Sequence, residues 1–199
     1  YEISACLVGS EMGIRDRSKL GAVRVSSRDR PHAALRVIVF VVGSASLGAE
    51  IAVARLLAPY FGASTIIWAN TIATVLVALS AGYAIGGRLA DRRAEMRGLC
   101  AIVLTAAALL AVVPFIANPF LQASVKALGS LSVGAFVGSL VAVLVLVAVP
   151  VMLLGAVAPY ANRLALKNVG EAGRVTGGLY AISTAGSLVG TFLAALLLI

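Results

Sequence analysis

Charge is the scarcest property of this chain. Only 12% of its 199 residues are Asp, Glu, Lys or Arg, about half the share of an ordinary soluble domain. Histidine occurs once, at His32. The two cysteines, Cys6 and Cys100, stand far apart with no metal-ligand spacing around either. Nothing here builds a zinc or haem centre, and no cofactor or metal is expected. The formal net charge of +8 would suggest nucleic acid in a soluble protein. No basic stripe is interleaved with aromatic rings, however, as a stacking groove for bases requires, so nucleic acid is excluded as a partner. Short alternating segments of about ten residues, the mark of a membrane β-barrel, are missing as well.

What the chain has instead is apolar length. Hydrophobic residues make up 61% of it, and the mean hydropathy is +1.04. Runs of 18 or more apolar residues recur, enough to cross a hydrocarbon core about 30 Å thick. In that solvent every backbone N–H and C=O must find its partner within the segment, which leaves the helix as the economical answer. The expected fold is all-α, a polytopic transmembrane helix bundle with about five spans and a lipid bilayer as its first partner.

Residues 1–33 are polar, mixed in charge and without apolar periodicity. They read as a disordered cytoplasmic leader, with Met12 a candidate initiator. The leader is too long and too charged for the n-region of a cleavable signal, so the first apolar run is a retained helix. The transmembrane domain then covers 34–199, with spans at about 34–59, 64–87, 98–118, 132–159 and 175–199. Pro150 predicts a tilt or kink in the long fourth span. Residues 118–130, NPFLQASVKALGS, suggest a short interfacial helix.

The charges sort by side. The leader and first-span entrance hold Arg15, Arg17, Lys19, Arg24, Arg28, Arg30 and Arg36. The second gap holds Arg88, Arg92, Arg93 and Arg97, and the fourth holds Arg163, Lys167 and Arg174. The first gap has none and the third only Lys126. This alternation places the N-terminus in the cytoplasm and the end of the fifth span outside. Tyr60, Phe61 and Trp68 cluster at the outer interface, where amphipathic rings settle.

Three local patterns carry candidate chemistry. The stretch GGRLADRR, Gly86 to Arg93, is expected to be the cytoplasmic turn between spans two and three. Gly86 and Gly87 would permit a sharp helix exit. Asp91 lies within reach of Arg88, Arg92 and Arg93, an ion-pair cluster of the kind that gates transporters. Inside span one lie Glu50 and Arg55. Arg55 can snorkel outward, whereas Glu50 is roughly 15 Å from the outer end at 1.5 Å per residue. An acid at that depth is a substrate or proton candidate, or a structural hydrogen-bond partner. The two project about 140° apart, so Asn70, Ser183 or Thr184 are better partners for Glu50 than Arg55 is. Finally, Gly82 with Gly86, Gly134 with Gly138, and Gly186 with Gly190 have the four-residue spacing of helix-packing faces. Pro150, Gly155 and Pro159 would bend their helix.

These pieces resemble a known family. G-x-L-A-D-R alone is similar to the loop between helices two and three of the major facilitator superfamily. A longer ordered set comprises E-x4-R-L-L-x3-FG-x-S (Glu50, Arg55, Phe61, Gly62, Ser64), GGRLADR, MLLGAVAPYANRLAL and GRVTGGLYAISTAGSLVG. Together these resemble the membrane module of bacterial membrane-bound spermidine-synthase-like proteins, from about residue 40 to the end. The resemblance implies a bacterial plasma-membrane protein whose helices precede a cytoplasmic Rossmann-like aminopropyltransferase domain. Two departures stand out. Ser183 occupies a position where the family usually has Asn, and no Gly-rich, acid-bearing nucleotide fold occurs in this sequence. Five spans leave the end outside, so such a domain requires a further crossing beyond Ile199. The expected function is therefore a membrane module that anchors or feeds a polyamine synthase-type domain, with Glu50 the residue for a cationic diamine. The alternatives are a facilitator-type transporter standing alone or as a homo-oligomer, and a structural subunit of a membrane complex. By itself the chain carries no catalytic motif.

Overall fold

A computed structural model of the protein describes residues 30–62, 64–128, 134–166 and 169–197. The leader to residue 29, with Cys6 and Met12, lies outside these residues, as do Lys167 and the side chain of His32. The apolar runs form α1 (Arg30–Phe61), α2 (Thr65–Arg92), α3 (Met96–Leu128), α4 (Gly134–Leu146), α5 (Ala148–Ala165) and α6 (Ala172–Leu197). A 3-10 turn at Val169–Glu171 leads into α6. Among the described residues there is no strand, and five of the helices, all but α4, are long and apolar enough to cross a membrane. The protein is a multi-pass membrane helix bundle.

Local chemistry explains where the helices stop. Gly62 takes φ +84°, and its N–H donates to the Ala58 carbonyl at 2.9 Å, a left-handed C-cap that closes α1. Two residues on, Ser64 caps α2 by accepting from the Ile67 N–H at 3.4 Å. Gly62 and Ser64 of the FG-x-S pattern thus end the first span and open the second. Pro150 acts as expected. It has no N–H for the Leu146 carbonyl, and Val147 leaves helical geometry with φ −123° and ψ −28°. The Val147 and Val151 amides still reach the carbonyls four residues back, at 2.9 and 3.0 Å. The fourth span is accordingly one run bent into α4 and α5.

Two expectations are corrected. GGRLADRR is not the turn: α2 continues to Arg92, and the chain turns over residues 93–95. Gly86 does not release the helix; it brings α2 against α5, the packing role that its spacing from Gly82 predicts. Residues 118–128 are not a separate interfacial helix, because α3 runs unbroken through Pro114 and Pro119 to Leu128; residues 129 and 130 of the expected segment lie outside the described residues. Its far half is anchored by Ala117 and Leu121, both fully buried.

Packing depends on two close crossings. α2 meets α5 where a Cβ on Gly82 would strike the Met152 carbonyl, and one on Gly86 the backbone of Ala156. Gly155 reciprocates against Leu79. α1 meets α6 where Gly43 faces the Ser183 carbonyl, Gly186 that of Phe40, and Gly190 that of Ser44. Gly134 and Gly138 are buried on α4. Around these crossings the core forms two clusters. One joins Leu35, Val39, Leu99, Leu154, Val157 and Leu179; the other joins Val53, Leu57, Val75, Leu121, Val143 and Val151. Arg36, Arg93, Arg163 and Arg174 lie at one end of the bundle, around the α2–α3 turn and the starts of α1 and α6. At the opposite end the Tyr60 hydroxyl donates to Asn118 Oδ1 at 2.9 Å.

Replacing Gly86 by Val is expected to destabilise the bundle by about 3 kcal/mol or more, because neither backbone can yield to the added carbons. Gly87→Ala, where a Cβ meets nothing within 4 Å, serves as the control and should leave stability unchanged or raise it by up to about 1 kcal/mol. Denaturant or thermal unfolding in detergent measures both. Cysteine-labelling from the two sides of the membrane should place Arg93 and Arg174 together, and Tyr60 opposite them.

Candidate functional site

The helix period brings separate polar residues of α1 onto one stripe. Gly43, Ser46 and Glu50 follow at spacings of three and four, so they share a face. The first two line a partly open cavity of about 220 Å³ between α1, α2, α5 and α6. Its walls are largely apolar, and its polar groups come from Ser46, Tyr83, Asn162, Tyr180, Ser183 and Ser187. Ser187 is already engaged, donating to the Gly43 carbonyl at 3.0 Å. Tyr83 and Tyr180, 49% and 54% exposed, are the most open of the lining residues and mark the accessible flank. Asn162 differs from the rest: its Oδ1 is buried and has no hydrogen-bond partner.

Glu50 stands one turn beyond Ser46 on the same face of α1, about 6 Å further along the axis. It is half-buried. None of the partners expected for it from sequence reaches it. Asn70 is buried at 7% exposure, and its Nδ2 donates to the Phe136 carbonyl at 3.0 Å and to Ser139 Oγ at 3.1 Å. That amide ties α2 to α4. Ser183 lies against Gly43, and the exposed Thr184 donates to the Tyr180 carbonyl of its own helix at 2.9 Å. Arg55 is exposed and shares a groove with Pro59 and Trp68, away from the cavity.

At the basic end the ion pair differs from the one expected. Asp91 meets Arg163 of α5 at 3.7 Å, with both side chains more than half exposed. Arg88, Arg92 and Arg93 are exposed on their own helix or at its cap. An exposed pair of this length contributes at most about 1 kcal/mol. The stronger tie is Tyr160, which the sequence reading passed over. Its ring is 2% exposed, and its hydroxyl donates to the Arg93 carbonyl at 2.7 Å and accepts from the Glu95 N–H at 3.2 Å. A buried phenol needs such partners, and the turn after α2 has unpaired backbone groups to supply them. The available signal was a tyrosine closing an apolar run beside Asn162 and Arg163. Gly98 makes room for the hydroxyl, since a Cβ there would collide with it.

Among the described residues no three of His, Cys, Asp and Glu come together as a metal site. The arrangement provides a partly open cavity without charged lining residues, a carboxylate one turn beyond it, and a hydrogen-bonded turn at the basic end. No protein-family model, curated protein or solved structure matches the chain.

Tyr160→Phe should destabilise the protein by about 1–3 kcal/mol, since the Arg93 carbonyl loses its partner. Amide hydrogen exchange should accelerate at Glu95. Asp91→Asn should change stability by less than about 1 kcal/mol, measured in the same unfolding assay.

Proposed function

We propose that the chain is the membrane module of a bacterial spermidine-synthase-like protein, anchoring a synthase-type domain and holding a small solute within its helices. One observation carries this reading. Two of the four resemblance motifs, MLLGAVAPYANRLAL and GRVTGGLYAISTAGSLVG, supply most of the lining of a single cavity. A third, GGRLADR, brings α2 against α5 through Gly86. Motifs that served only as a hydrophobic anchor would have no reason to converge on one cleft between the helices. The glycine faces support the reading in a second way. Gly82, Gly86, Gly186 and Gly190 are covered within the chain, so they do not call for a second copy or a foreign subunit.

A facilitator-type transporter is the second reading, favoured by the Asp91–Arg163 contact between α2 and α5 at the basic end. Either way the protein belongs in the bacterial plasma membrane with its basic end toward the cytoplasm.

Sequencing the locus downstream of Ile199 tests the anchoring role. A frame continuing through another apolar span into a Gly-rich, acid-bearing α/β domain supports it; an early stop refutes it and leaves the transporter. Delivery of a diamine is tested separately by Glu50→Gln. Where Glu50 serves the cation, putrescine uptake into cells or vesicles should fall by about tenfold or more, equivalent to about 1.4 kcal/mol. Unchanged uptake removes Glu50 from any substrate role.

A further inference from the structure

We infer that the cavity between α1, α2, α5 and α6 binds a small uncharged molecule carrying a hydroxyl or amide donor, recognised by the side-chain amide of Asn162. This rests on the reading of the bundle as a solute-holding module and names the solute's class. The starting point is the unmet carbonyl: Asn162 lines the cavity, and its Oδ1 is shielded from solvent without a partner. Folded proteins leave few such groups, and each one has to be accounted for. The terminal amide torsion of Asn is soft and roughly two-fold. A two-fold turn about it exchanges oxygen and nitrogen, so the amide can offer a bound molecule either an acceptor or a donor.

The remaining lining sets the ligand's class. Val39, Leu154 and Leu179 give apolar walls, and Ser46 and Ser183 add hydroxyls that donate or accept. Not one lining residue is Asp, Glu, Lys or Arg. An ion entering would give up its hydration with no counter-charge beside it, which the membrane interior penalises heavily. A neutral molecule with an apolar body and a polar end meets no such penalty. The space of about 220 Å³ is far larger than the ~10–15 Å³ one water requires, so a small organic molecule fits.

The test is thermal unfolding of the full chain in lipid nanodiscs, with 1,4-butanediol, butyramide or putrescine added. The diol and the diamine have the same length and differ in charge. The wild type should be stabilised by the diol or the amide and not by putrescine, and Asn162→Leu should abolish the shift. Without ligand, Asn162→Leu should unfold at a higher temperature than the wild type, because it removes a buried carbonyl that has no partner. A merely structural amide would give the reverse. A lower midpoint for the ligand-free variant, or a diol shift that survives it, overturns the inference. So does the absence of any shift with the neutral probes, which means that the cavity holds water only. Stabilisation by putrescine that disappears in Glu50→Gln overturns it too, while leaving a diamine-handling module intact. The downstream reading frame decides the anchoring role independently of all these outcomes.

Discussion

Contact between helix backbones, made possible by missing side chains, is the constraint on which the rest of this bundle depends. In a bilayer an apolar side chain gains little by leaving lipid for protein, so helices associate through dispersion and close fit. At the α2–α5 crossing Gly82, Gly86 and Gly155 each lie against backbone or near-backbone atoms of the opposing helix. At the α1–α6 crossing Gly43, Gly186 and Gly190 do the same. Each crossing is reciprocal, with glycines on both helices, so the two backbones approach along a continuous seam.

Two tight pairs have a consequence for the space between them. α1 with α6, and α2 with α5, are each drawn together at their own seam, and all four helices contribute walls to one cavity. Its polar groups come from positions beside the glycines: Ser46 follows Gly43, Ser183 and Ser187 flank Gly186, and Asn162 lies two turns beyond Gly155. Close packing and solute shelter are therefore parts of the same construction. The basic end is held differently. There Tyr160 satisfies its own buried hydroxyl and the turn after α2 at once, and the exposed Asp91–Arg163 pair adds little.

Several features were legible in the sequence for reasons that act residue by residue. Apolar runs had to be helices because lipid offers no hydrogen-bond partners. Pro150 had to bend its span because it lacks an N–H. Most of the arginines had to gather at one end, and Arg55 near the other, because charge partitions out of hydrocarbon. Other features were read incorrectly or passed over. The Gly82–Gly86 spacing predicts a packing face and Gly86–Gly87 a helix exit; α2 runs on to Arg92, so only the first holds, and Ala156 is the backbone that Gly86 meets. Residues 118–130 were separated from α3 at Asn118 and Pro119, yet buried Ala117 and Leu121 carry the helix past that point. Asn70 was offered as a partner for Glu50, but it belongs to Phe136 and Ser139. In each case the deciding atom lies on another helix.

By itself the sequence determined the solvent, the helical class, the number of spans and the basic end, because each follows from the transfer of single residues between water and lipid. The tertiary structure alone decided which glycines meet which backbones, that Asp91 pairs with Arg163, that Tyr160 closes the turn and that Asn162 is left with an unmet acceptor. Those facts are pairwise. They depend on how helices distant in sequence are rotated and set in depth against one another, and no single chain segment carries that information.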